Sequence, residues 1–197
     1  LLWLAAAVAL AAILGGLVWL VTGSSVLAAR TVTVTGTKVL TADEVRAVAA
    51  VEVGRPLVWV DPGAVADRVA ALAPVDRVSV RRAWPSAVSI EVTERKPLFV
   101  VESGVGYVIV DAAGVAFQAV AAVPTGLVPA QASASDTRLL RDIGTVLGSL
   151  DGGLLGQVRR VRADTPDSIV LELRNGAEIM WGSADQSAWI ASSGGTS

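Results

Sequence analysis

Few side chains in this chain could perform covalent or acid–base chemistry. It contains no cysteine and no histidine, which removes thiol nucleophiles, Cys/His zinc sites and the commonest general base. The two lysines, Lys38 and Lys96, fall in a turn and at a junction between folded units, a poor setting for a Ser–Lys nucleophilic pair. Asp111, Asp164 and Asp167 are the carboxylates to weigh as a glycan-cleaving pair, which needs two carboxyl groups a fixed distance apart across a cleft. Their spacing demands nothing of the kind, and aspartate in a loop more often accepts hydrogen bonds from the backbone. The only metal site these residue types allow is all-carboxylate, and none is assigned. The glycines form neither a Walker-type phosphate loop nor a dinucleotide fingerprint, so no cofactor and no small-molecule substrate is expected. A net charge of −2 supplies no basic stripe for nucleic acid. The chain reads as a protein that works through surfaces, without a reactive centre.

Those surfaces need elements to carry them, and the first element is apolar. Residues 1–21, LLWLAAAVALAAILGGLVWLV, contain no charge. At 1.5 Å per residue such a helix spans about 31 Å, the hydrocarbon thickness of a bilayer. Leu1 and Val21 bound the apolar run, and Trp3 and Trp19 lie near its two ends, where indoles favour the headgroup level. A cleaved signal peptide has a shorter apolar core and a clearer small-residue site than Leu27-Ala28-Ala29, so the run is read as a retained membrane anchor. The chain starts inside the apolar run, and a basic cytoplasmic flank is expected to precede it. Without that flank, charge does not set the orientation.

Residues 23–29 read as a connector. In 31–35 Thr and Val alternate, as in a half-buried strand. Thr41-Ala-Asp-Glu44 is a capping box, with Leu40 and Val45 as its hydrophobic staple. Val45, Val48 and Ala49 continue at helical spacing. Asp61-Pro62 opens a second helix as N-cap and first-turn proline, with Val65, Val69 and Leu72 as its buried stripe. Strands follow over 76–82, with Val78 and Val80 on one face, and over 87–93, with Val88, Ile90 and Val92 inward. Trp84-Pro85 reads as a turn packed on its own domain. Arg77, Arg81 and Arg82 read equally well as a basic patch facing lipid headgroups and as a solvated strand face.

From Lys96 onward strands dominate: 98–101 and 107–110 around a Ser-Gly-Val-Gly loop, then 157–163, 168–173 and 177–181, the last two joined by Asn175-Gly176. One helix, with Leu139, Leu140, Ile143, Val146, Leu147 and Leu150 in a 3.6-residue period, is expected within 135–152. Residues 183–197 read as a disordered or truncated tail. The expected class is α+β: a transmembrane helix, a βααββ domain over 30–95, and a mainly antiparallel β-domain with one helix over 96–182.

The stretch 75–97, VDRVSVRRAWPSAVSIEVTERKP, resembles the signature of the FtsQ/DivIB cell-division proteins. Its matching positions are Val78, Val80 and Arg81, the turn Trp84-Pro85, and the exit Glu94-Arg95-Lys96-Pro97. The run 110–117, VDAAGVAF, and the hairpin of 168–182 ending in Trp-Gly look like the same family. The resemblance implies a bitopic inner-membrane protein at the division septum, with a POTRA domain next to the membrane and a β-domain beyond it, both outside the cytoplasm. It implies no catalysis. It implies binding to bitopic division proteins of the FtsB and FtsL type, and through them an influence on the septal peptidoglycan synthase. In the family, that Trp-Gly end is followed by a helix and a final strand where the partner adds a strand. Residues 183–197 are too short and too rich in Gly and Ser for both. The candidate partner-binding edge therefore becomes Glu178, Ile179, Met180 and Trp181. Alternative readings are a POTRA-type polypeptide-translocation module, for which too few alternating segments follow, and an anchored envelope hydrolase.

Overall fold

The computed structural model describes residues 2–23, 25–163, 165 and 168–182. Leu1, Asp164, Asp167 and the stretch 183–197 lie outside the described residues. The chain divides into two compact units, Leu1–Glu94 and Arg95–Ser197.

Helix α1, Leu2–Thr22, is apolar throughout and long and apolar enough to cross a membrane, with none of its span buried within the protein. A single turn, Ser25–Leu27, follows. The rest of the first unit is built from β1 (Thr31–Thr35), α2 (Ala42–Ala49), α3 (Pro62–Ala70), β2 (Val75–Ala83) and β3 (Ala87–Glu94). The sheet order is β1-β3-β2, with β1 parallel and β2 antiparallel to β3. β3 is central because Val88, Ile90 and Val92 alternate inward. They meet Val45 and Ala49 of α2 and Val65 and Val69 of α3 in one core. The capping box at Thr41 and Glu44 forms with both of its hydrogen bonds. Asp61 caps α3 by accepting from the amides of Gly63 and Ala64.

One boundary needs correcting. Ala28 and Ala29 belong to this core and not to a connector: Ala29 is fully buried, Ala28 bridges Pro56, and Ala29 exchanges backbone hydrogen bonds of 2.8 Å with Gly54 and Arg55. Small side chains looked like a spacer in sequence. They are small here because the backbone passes directly under the 54–56 turn.

The second unit is a seven-stranded sheet ordered β10-β9-β8-β7-β4-β5-β6. Its strands are β4 (Phe99–Ser103), β5 (Gly106–Val110), β6 (Ala116–Val120), β7 (Val128–Gln131), β8 (Val158–Ala163), β9 (Ile169–Leu173) and β10 (Glu178–Gly182). The middle pairings, β4 with β7 and β7 with β8, are parallel, whereas the flanking ones are antiparallel. Adjacent parallel strands cannot be joined by a hairpin and need a crossover. This is why a helical segment separates β7 from β8. The segment contains two helices where the periodicity gives one: α4 (Thr137–Ser149), capped by Asp136, and the short α5 (Gly152–Gln157), capped by Asp151. Three of the six residues of α5 are glycine, a composition that hides a helix from propensity. Two strands, β6 and β7, are likewise absent from the sequence reading. β7 is four residues with an internal proline, which argues against a strand when read in isolation.

The amphipathic face of α4 buries Leu139, Leu140, Ile143, Val146 and Leu147 against Phe99, Val161 and Leu171. The turn after β5 comes equally close. A Cβ on Gly144 of α4 would lie 2.6 Å from the Ala112 carbonyl oxygen, and Gly114 adopts φ +76° against the backbone of Leu140 and Arg141. Helix propensity favours alanine over glycine by about 1 kcal/mol, but overpacking a close backbone contact costs about 1–3 kcal/mol. The steric term wins. Gly144→Ala should destabilise the second domain, seen as an earlier transition in urea denaturation of the detergent-solubilised chain. A later transition would show that helix and turn do not touch as closely as this.

Candidate interaction surfaces

Three features could meet a lipid or protein partner: the apolar helix, the tips and ends of the first domain, and the edge of the second sheet.

α1 carries Trp3 in its first turn, and Trp19 and Val21 in its last two. Its C-terminal end is closed locally. Thr22 donates its hydroxyl to the Val18 carbonyl at 2.7 Å, and the Gly23 amide donates to Trp19 at 2.8 Å. These satisfy carbonyls that a helix end otherwise leaves open. Beyond the 25–27 turn the backbone is taken up at once by the first domain. Besides Ala29, the amides of Arg30 and Thr31 donate to the Ser86 carbonyl at 2.7 and 3.3 Å.

The family-motif residues do different jobs. Val78 and Val80 pack partly against the core of the first domain. Trp84 and Pro85, joined by a cis peptide bond, form the β2–β3 tip. The Trp84 side chain is only partly covered by its own domain: it is 54% exposed. The three arginines do not make one patch. Arg77 pairs with Asp76 at 3.3 Å, and its backbone lies opposite Thr93, whereas Arg81 and Arg82 lie opposite Ser89 and Val88, nearer the tip. Arg82 also donates to the Val60 carbonyl at 2.9 Å.

The exit motif splits its roles between the two units. Glu94 accepts from three consecutive amides, Lys38 at 2.9 Å, Val39 at 2.9 Å and Leu40 at 2.8 Å, and so clamps the β1–α2 loop. Partial burial pushes its carboxyl up, but those amides, together with the Lys38 charge, outweigh burial and hold it below the ordinary carboxylate value. Arg95 pairs with the buried Asp111 at 2.8 Å, and Asp111 also accepts from the amides of Ala113 and Val115 at 2.9 and 2.8 Å. Pro97 is exposed in the segment leading to β4. Asp111 thus does what an aspartate in a turn commonly does. The other two aspartates of the imagined catalytic set lie outside the described residues.

At the far end of the second sheet, β10 pairs only with β9 among the described residues. Ile179 and Trp181 pack partly against the core, while Met180 is 85% exposed. A ladder of charges ties this edge to its neighbours: Arg159–Glu172 at 2.8 Å, Arg162–Glu172 at 3.1 Å and Arg162–Glu178 at 3.0 Å. The hydrogen bond from Arg159, with the nearby arginine charges, overcomes desolvation and holds the Glu172 carboxyl below its usual value. Sequence reasoning missed this ladder and the Glu94 clamp. Both join residues distant in sequence, and only the Glu-Arg-Lys-Pro exit hinted at one of them.

Comparison with known proteins decides what these surfaces belong to. Residues 27–95 match the family model for the FtsQ-type POTRA domain, and residues 99–191 match the C-terminal region of cell division protein FtsQ/DivIB. The chain belongs to the FtsQ/DivIB family of cell division proteins. It is 39% identical over 194 residues to cell division protein FtsQ of Streptomyces coelicolor, covering 91% of this chain and 74% of the relative. It is 42% identical over 176 residues to FtsQ of Streptomyces griseus, covering 84% and 85%. FtsQ of Mycolicibacterium smegmatis is 34% identical over 188 residues, covering 94% of this chain and 55% of its own. The extracytoplasmic domain of DivIB from Geobacillus stearothermophilus aligns with 52% of this chain and 90% of its own at 15% identity and a TM-score of 0.42, too low to support any further comparison. As an FtsQ/DivIB protein, the chain has an apolar N-terminal helix, a POTRA domain and a larger β-sheet domain.

The Glu94 clamp makes a pH prediction. Its carboxyl is depressed in the folded state, so its contribution is complete above the ordinary carboxylate value and is lost as pH falls through the native one. Glu94→Gln should cost about 1–3 kcal/mol at neutral pH through lost charge-assisted hydrogen bonds. It should also flatten the acid limb of thermal stability measured from pH 7 downward. An unchanged acid limb together with unchanged hydrogen-exchange protection at Lys38, Val39 and Leu40 would show that the clamp is not made.

Proposed function

We propose that this FtsQ/DivIB protein is a non-enzymatic, single-pass scaffold of the divisome. α1 anchors it in the inner membrane, and both domains lie on the extracytoplasmic side at the septum. There it binds other bitopic division proteins of the FtsB and FtsL type and helps to place the septal peptidoglycan synthase. Confinement of all these chains to one membrane raises their effective concentration, so weak contacts suffice.

The observation that carries this reading is the β10 edge. In an antiparallel pair, successive residues alternate between bonding the neighbouring strand and pointing away from it. The Leu173 amide donates to the Ala177 carbonyl, and Ile179 registers with Leu171. By this alternation Ile179 turns its backbone groups towards β9, whereas Glu178 and Met180 turn theirs outward. An extended segment of a partner can bond to that outward row. The absence of enzymatic activity is supported by what the acids do. A surface hollow of about 340 Å³ in the first domain contains Glu52 and Asp61, but Glu52 is paired with Arg55 at 3.2 Å and Asp61 caps α3.

Two experiments test the reading. Depletion of the protein in its native host, with a tagged copy followed by microscopy, should give filamentous cells and signal at midcell. Normal septation with diffuse signal would remove the scaffold. Met180→Pro should leave the hairpin folded, because proline is tolerated where an edge amide faces away from its sheet, yet abolish capture of FtsB-type partner peptide by the purified chain. Full binding by that variant would rule out strand addition at β10.

A further inference from the structure

The end of the POTRA domain that the chain enters on leaving α1 presents two tryptophans that the scaffold does not use. Trp59 is 56% exposed and Trp84 is 54% exposed. They come from different turns, 57–59 and the β2–β3 tip, and the segment leaving α1 bonds to the loop just before the first and to the second. Ala29 bonds Gly54 and Arg55, and Arg30 and Thr31 bond Ser86. The Arg82 side chain joins the two turns through the Val60 carbonyl. α1 itself contacts the 57–59 turn. Val53, on the same 52–56 loop, is 71% exposed. Trp19, in the last two turns of α1, adds a third indole on the element that contacts the 57–59 turn.

Charge follows the same axis. Near this end lie Arg30, Arg55, Arg81 and Arg82, with Glu52 and Asp61 as the acids beside them. Glu52 pairs with Arg55, and Asp61 is engaged in capping. The opposite end of the domain, where β3 finishes and the β1–α2 loop returns, carries Glu44, Asp76, Glu91 and Glu94 with Lys38 and Arg77. An indole has an apolar body and one polar N–H, which suits the headgroup zone of a bilayer. Basic residues behind it favour anionic lipid.

The geometry points to a second membrane contact: Trp59, Trp84 and Val53 seat the POTRA domain in the headgroup layer of the bilayer that α1 crosses, with Arg30, Arg81 and Arg82 facing anionic lipid phosphates. This rests on the reading of α1 as a membrane span. The occupant is lipid because the indole-bearing turns lie beside the backbone that leaves the helix end, one of them in contact with α1 itself. The consequence is orientational. The domain is held on the surface with its acidic end outward, and does not swing on a free tether.

The chain has no native cysteine, so single cysteines can be labelled uniquely in the full protein. We would place an environment-sensitive fluorophore on Val53→Cys, on Val39→Cys at the opposite end, and on Leu10→Cys inside α1. The proteins would be reconstituted in phosphatidylcholine vesicles containing phosphatidylglycerol and nitroxide lipids. The expected result is blue-shifted emission at position 53 with loss of fluorescence to headgroup-level nitroxides, water-like emission at 39, and loss at 10 to deep nitroxides only. Combining Trp59→Ala with Trp84→Ala should return position 53 to water-like emission. A water-like label at 53 in the otherwise native chain, with position 10 still quenched from deep in the bilayer, would overturn the inference and leave the span intact. A water-like label at 10 would instead overturn the span, and the inference with it. Retained quenching at 53 in the double variant, with an unchanged circular dichroism spectrum, would overturn the role of the indoles.

Discussion

A backbone leaving a helix long and apolar enough to cross a membrane has no free choice of partners, and this constraint orders the first half of the molecule. Inside hydrocarbon every amide and carbonyl must be satisfied within the helix, and α1 achieves this with an unbroken run from Leu2 to Thr22. At its end Thr22 and Gly23 close carbonyls of the last turn. A few residues later Ala29, Arg30 and Thr31 are already bonded to two turns of the POTRA domain. That hand-over leads directly into β1, which pairs with β3 from Thr31 onward. It thereby fixes which end of the sheet lies next to the helix and which end is remote.

In the second domain the equivalent constraint is the parallel centre of the sheet. β4, β7 and β8 run parallel, and the connection between β7 and β8 has to leave the sheet and return. α4 and α5 fill that connection, and the apolar face of α4 closes the core over the strands. The turn after β5 then lies so near α4 that Gly114 and Gly144 leave no room for a Cβ. Backbone proximity, and not side-chain identity, sets these positions. The same turn is stabilised from the other side by Asp111, which collects two amides and Arg95.

The charged residues therefore act as fasteners. Glu94 gathers three amides of one loop. Asp111 holds a turn, Asp61, Asp136 and Asp151 cap helices, and Glu172 links arginines of β8 across a strand boundary. Among the described residues no group of three acids is arranged to hold a metal ion, and no buried side-chain polar atom lacks a partner.

Local chemistry was enough to read much of this from the residues alone. The length of an uncharged run specifies a helix long and apolar enough to span a membrane, the Thr41–Glu44 spacing specifies a helix start, and the alternation of Val88, Ile90 and Val92 specifies an inward strand face, because each depends on neighbours within a few residues. The Glu-Arg-Lys-Pro exit and the Trp-Pro turn pointed to the family for the same reason. The order of seven strands, the existence of β6 and β7, the glycine-rich α5 and the burial of Ala28 and Ala29 lay beyond local reading, since each is stabilised by partners far away in sequence. The exposure of Trp84 was decided at the same level. How much of a turn residue the rest of its domain covers is a property of the assembled domain, and no spacing along the chain encodes it.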